Sequence, residues 1–142
     1  MGLGVPRFTA RRFTASPSSL QQVRHYTRST LEQWGLSACA DDAAMVVNEL
    51  ATNALRHALS RQEPDNAGWL GLIHTANAVT CAVKDPSPLE PASLNADLLA
   101  LRGRGLRIVN ALTDSWGYSA TGTGKTVWAR LQSARHTAGN GN

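Results

Sequence analysis

The first sustained pattern follows S-P-S-S (16–19), where Leu20, Val23, Tyr26, Thr27, Thr30 and Leu31 recur at spacings of three and four. That is the repeat of a helix with one buried face. Ser16 can cap it, Pro17 can open it, and Gly35 ends it just beyond Trp34. A second helix is expected over Asp41–Leu59, with Ala43, Val47, Leu50, Ala54 and Ala58 as its inward stripe. Asp41 and Asp42 would then sit in its first turn, favourably placed against the positive end of the dipole. The polar stretch 60–68 reads as a connection, after which Trp69–Thr75 and Val79–Lys84 form a hairpin around Ala76–Asn77. Three prolines make 85–102 a loop with a short apolar segment, Leu94 to Leu101. A helix over Gly103–Leu112 and strands at Ser115–Tyr118 and Lys125–Leu131 complete the pattern. Upstream, Arg11–Ala15 is a short strand candidate.

Strand, two helices, two strands, helix and two strands give an α/β fold. The expected architecture is a two-layer sandwich, with a mixed, mostly antiparallel sheet covered on one face by about three helices. The division is a flexible arm at 1–10, one domain at 11–132 and a disordered tail at 133–142, with no internal repeat.

The 142 residues are 42% hydrophobic, enough for one core without staples. Cys39 and Cys81 stand far apart with no C-x-x-C pair, which argues for a reducing, cytoplasmic compartment and against a zinc ribbon or disulfide framework. Fourteen Lys and Arg against ten Asp and Glu give +4, with arginines dispersed between the first 28 residues and the 102–107 region. A dispersed excess is a solvated surface rather than a nucleic-acid footprint, so no direct nucleic-acid partner is expected. No run approaches the roughly 18 apolar residues of a membrane span, so no membrane partner is expected either. Trp34, Trp69, Trp116 and Trp128 are scattered and read as core or groove residues.

The chemistry concentrates in E-L-A-T-N-A-L-R-H-A (49–58). Glu49 and Asn53 are one turn apart and only about 40° apart around the helix, so two side-chain oxygens converge at the edge of the apolar stripe. Alone, that pair could be a solvated helix flank. His57, one turn further on, could reach a phosphate or simply pack at a cleft edge. T-G-T-G-K-T (121–126) is not a Walker loop, because Ser119 stands where a glycine is required and a strand follows. G-R-G-L-R-I (103–108) lacks the third glycine of a dinucleotide fingerprint. Gly103 and Gly105 still allow close backbone approach to a ligand at a helix start, or simply a tight turn.

Four segments in order, E-L-A-T-N-A-L-R-H-A, V-K-D-P-S-P, G-R-G-L-R-I-V-N-A-L and G-K-T-V-W-A-R-L, resemble the ATP-binding domain shared by gyrase, a heat-shock chaperone, histidine kinases and MutL. The likeness covers about residues 11–131 and is nearest to the serine-kinase anti-sigma factors of actinobacterial type. It implies a Bergerat-type ATPase fold with ATP and Mg²⁺ as ligands. Glu49 would be the catalytic base and Asn53 the metal ligand. Asp85 would accept from the exocyclic amine of adenine, with Thr126 beside it and Ser87 in the same box. Gly103, Arg104, Gly105 and Leu106 would line the phosphates, and 89–102 would form a lid. Ser87 and Leu89 replace both glycines of the usual D-x-G-x-G box, which adds a Cβ near the adenine pocket and stiffens the loop.

The resemblance implies a serine/threonine kinase acting on an anti-sigma antagonist of STAS type, with a sigma factor as the regulated partner; homodimers are common in such families. The rival expectation is a module that binds ATP weakly and regulates by partner capture alone. Glu49 and Asn53 favour the enzyme and the D-P-S-P-L box favours the module.

Overall fold

The computed structural model describes residues 6–57, 67–86, 106–121 and 124–134. In chain order these form β1 (Arg7–Thr14), α1 (Ser19–Gln33), α2 (Ser37–His57), β2 (Ala67–Thr75), β3 (Ala78–Asp85), α3 (Leu106–Leu112), β4 (Ser115–Thr121) and β5 (Gly124–Gln132). The strands make one sheet in the order β1-β2-β3-β5-β4. All four described pairings are antiparallel, so the sheet is not mixed. β5 lies inside and β4 outside because β5 alternates buried Val127, Ala129 and Leu131, whereas β4 is largely exposed.

Leu70 and Leu72 of β2, Val79, Cys81 and Val83 of β3, and the three β5 residues share one face of the sheet. α2 covers that face at β2, β3 and β5, while α1 packs along α2 and reaches β1. Both helices contribute to the core, α1 through Val23 and Leu31, α2 through Ala43, Val46, Val47, Leu50, Ala51 and Ala54. The inward surface of α2 is wider than one stripe because α2 lies between another helix and the sheet. The opposite sheet face carries Phe8 and Trp69, 67% and 46% exposed, so Trp69 is neither a core nor a groove residue.

Local chemistry explains where the elements begin and end. Leu31 and Glu32 of the last α1 turn accept backbone bonds from Leu36 and Gly35 at 2.7 and 3.0 Å. Gly35 takes φ +79°, the left-handed residue of a Schellman stop, and Leu36 packs against the core. Because that stop is compact, α2 begins at Ser37, four residues before Asp41. Asp41 and Asp42 therefore miss its first turn, and Asp41 pairs with Arg28 of α1 at 3.0 Å instead. At the start of α1 the N-cap is Ser18, without a side-chain cap bond, and Pro17 lies in the preceding turn. Ser16 braces that turn, its hydroxyl 2.8 Å from that of Ser19, which also donates to the Thr14 carbonyl.

β1 begins at Arg7, so residues 7–10, placed in a flexible arm by the sequence, belong to the sheet. They pair without a break with Gly71–His74. Composition hid them, because R-F-T-A is mostly exposed edge strand held by backbone bonds. On the helix side, the Arg11 guanidinium lies 5.3 Å from the Tyr26 ring centroid and Thr9 hydrogen-bonds the Tyr26 hydroxyl. Among the described residues no helix is long and apolar enough to cross a membrane.

Both cysteines are free and buried. Burial pushes the Cys81 thiol up to about 12, and it raises Cys39 too, against an opposing backbone hydrogen bond. Since the thiolate is the reactive form, neither thiol should label with maleimide at pH 8 until the chain unfolds. Counting adducts by mass with and without denaturant checks this; rapid labelling of the folded chain would contradict the packing. The β2–β3 turn holds Ala76 at φ +52°, where a Cβ is strained. Ala76→Gly should raise stability by about 1 kcal/mol in a denaturant titration.

Candidate functional site

Helix α2 presents Glu49 and Asn53 one turn apart, as its periodicity requires. Asn53 is buried and Glu49 half-buried, so the pair sits at the margin of the helix–sheet interface rather than on a solvated flank. The Glu49 Oε2 accepts from Asn48 Nδ2 at 3.2 Å, and Asn48 Oδ1 accepts from Arg24 of α1 at 2.6 Å. The Arg24 bond fixes which way the Asn48 amide faces and leaves its NH₂ end toward Glu49. Arg24 and Asn48 are site-supporting residues that sequence reasoning missed. Their partnership crosses two helices, and no spacing along the chain reveals it.

The second component lies at the end of β3. Asp85 is 1% exposed, on the helix-facing side of the sheet. Directly across from it in register is Lys125 of β5, whose Nζ lies 3.6 Å from Asp85 Oδ2. Desolvation lowers the Lys125 pKa, and the Asp85 charge and hydrogen bond oppose that. Thr126, expected beside Asp85, pairs in register with Lys84 and Ser119. Its side chain therefore belongs to the opposite face, because successive strand residues alternate. The one-residue difference replaces a hydroxyl with an ammonium at the expected base-reading carboxylate.

Gly124 makes this pairing possible. A Cβ there would stand 2.3 Å from the Asp85 carbonyl oxygen, and its φ is +153°. The backbones at the end of β3 and the start of β5 are therefore in direct contact, which holds Lys125 opposite Asp85.

Ser87, Gly103, Arg104 and Gly105 lie outside the described residues, as does the lid segment. Leu106 is the first residue of α3, which is described from there rather than from Gly103. His57 ends α2, and its side chain is likewise outside the description. Among the described residues there is no cluster of three or more His, Cys, Asp or Glu that could hold a metal. The donor that fits Mg²⁺ is the Asn53 amide oxygen, a hard neutral ligand suited to an ion that completes its shell with phosphate and water.

A cleft of about 320 Å³ lies near Cys39, Asp42, Leu112, Asp114 and Leu131. It belongs to the far end of β5 from Lys125 and to the first half of α2, so it is separate from this site. Its Asp114 is already paired with Arg130 at 3.2 Å and bonded by Gln132.

Two glycine substitutions separate backbone contact from side-chain contact. Gly124→Ala should lower stability by about 1–3 kcal/mol, because two backbones must part. Gly117→Ala should cost less, because its Cβ meets only the Trp128 ring, which can swing outward on the open face. Equal denaturation midpoints for the two variants would contradict this placement of Gly124.

The comparisons with known proteins fit these elements. A search of curated proteins gives no match. The family model described as histidine kinase-like ATPase domain matches residues 13–131, from the end of β1 to the last turn of alternating core residues in β5. With most of the chain matched and the expected two-layer fold of antiparallel sheet and helices present, this protein belongs to the histidine kinase-like ATPase domain family.

Proposed function

We propose that the protein binds ATP with Mg²⁺ and transfers the γ-phosphoryl group to a serine or threonine hydroxyl of a regulatory partner. In this reading the partner is an anti-sigma antagonist of STAS type, and phosphorylation changes the hold on a sigma factor. The observation that carries the reading is the joint placement of Glu49 and Asn53 on α2, the helix packed against β3, the strand that ends in buried Asp85. Family membership supports ATP as the ligand. The serine/threonine specificity and the partners rest on the likeness of motifs.

Each residue has a chemical part. The Glu49 carboxylate takes the proton from the acceptor hydroxyl as that oxygen attacks the γ-phosphorus and ADP leaves. The Asn48 bond holds this carboxylate in one orientation. Asn53 offers its amide oxygen to Mg²⁺, which when bound neutralises phosphate charge. Asp85 accepts from the adenine amine. A second reading, partner capture with weak nucleotide binding, draws support from Asp85 being already engaged by Lys125.

Glu49→Gln should cut phosphoryl transfer to the antagonist by about 10²–10⁴-fold while calorimetry shows Mg-ATP still bound. Transfer at the wild-type rate would end the kinase reading. Asp85→Asn should abolish ATP binding and is preferred to Asp85→Ala. Both break the ion pair, at a cost of about 3–5 kcal/mol, but Asn keeps the side-chain volume and an amide oxygen that can accept from Lys125, so a thermal melt run beside the titration separates lost binding from lost folding. Binding of Mg-ATP that is unchanged in Asp85→Asn would remove Asp85 from the pocket.

A further inference from the structure

The Lys125 side chain is 4% exposed and the Asp85 side chain 2%, at the end of rows that are otherwise apolar. Replacing a buried ion pair by well-packed hydrophobic residues is often neutral or stabilising, so packing alone does not account for an ammonium in this position. The two groups are chemically opposite, since an ionised carboxylate only accepts hydrogen bonds and an ammonium only donates them. Their ion pair spans 3.6 Å, and the lysine stem is flexible enough to turn the ammonium toward a second acceptor while it stays beside Asp85.

An acceptor beside a donor complements a base edge that carries a donor beside an acceptor. Adenine has such an edge, an exocyclic amine next to a ring nitrogen, whereas guanine presents two acceptors in its major-groove edge. We propose that Lys125 is the second half of the base reader. Asp85 accepts from the amine, and the Lys125 ammonium donates to the adjacent ring nitrogen of the same adenine. The proposal rests on the nucleotide reading given above and adds a specificity-determining residue to it. It also gives a reason for the register, since Gly124 brings the strands together where Lys125 must face Asp85.

The test compares Mg-ATP with the magnesium complexes of 1-deaza-ATP and 7-deaza-ATP, each lacking one of the two ring nitrogens that flank the amine. Calorimetry is run on the whole chain, wild type and Lys125→Met. Wild type should bind ATP about 10–100-fold tighter than one of the analogues, the range for a hydrogen bond to a charged group. In Lys125→Met that ratio should fall to near one. The ratio is read rather than the absolute affinity, because loss of the cation beside Asp85 affects all three ligands alike.

A ratio that survives in Lys125→Met overturns the proposal and leaves Lys125 a structural partner of Asp85. A wild-type ratio near one for both analogues also overturns it. Failure of wild type to bind any of the three nucleotides at millimolar concentration removes the nucleotide reading as well, which distinguishes the two failures. If Lys125→Met does not give a cooperative thermal melt, Lys125→Gln is used. It keeps an N–H donor without the charge, and its ratio should fall between wild type and one.

Discussion

The rest of the structure depends on the burial of α2. This helix meets α1, α3 and three strands, and its inward surface is built mostly from alanines and valines, with Leu50 and Cys39. Small side chains let the helix lie close to the sheet, and close packing leaves little freedom to rotate. Rotation matters because each residue of slip turns a helix by about 100°. The directions of Glu49 and Asn53 are therefore set by Ala43, Val47, Leu50 and Ala54 facing the core. The polar geometry of the site is a consequence of apolar packing.

Two polar devices are set into that framework. One is the chain from Arg24 through Asn48 to Glu49, which ties the candidate base to the neighbouring helix. The other is the Asp85–Lys125 pair, which stands where the core rows Val83 with Val127 and Cys81 with Ala129 reach their end. Both place charge at a margin of the core, where desolvation strengthens electrostatic contact. The open face of the sheet is different in kind. Phe8 and Trp69 are exposed on it, Trp128 is half-buried, and no described helix covers Phe8 or Trp69.

The order of helices and strands and the β2–β3 hairpin were legible in the sequence because the apolar periodicity changes from about 3.6 to 2 at the right places. Glu49 and Asn53 were legible as a polar pair one turn apart, but they and Asp85 became candidates only through the resemblance carried by four motifs in order. The first half of β1 was not, since an exposed edge strand is defined by backbone pairing rather than by an apolar pattern. The first turn of α2 was missed for a related reason: Asp41 and Asp42 looked like dipole partners, while the Schellman stop at Gly35 let the helix start earlier.

By itself, then, the sequence determined the kinds of element, the two-layer class and the residues of one helix face, because those are local properties of 3.6-residue and two-residue repeats. Tertiary structure decided what meets what. It set β5 between β3 and β4 and put Lys125 rather than Thr126 across from Asp85, and it brought Arg24 to Asn48. The physical reason is that strand register and helix packing join residues far apart in the chain. A shift of one position, invisible to any local pattern, moves a side chain to the other face of the sheet.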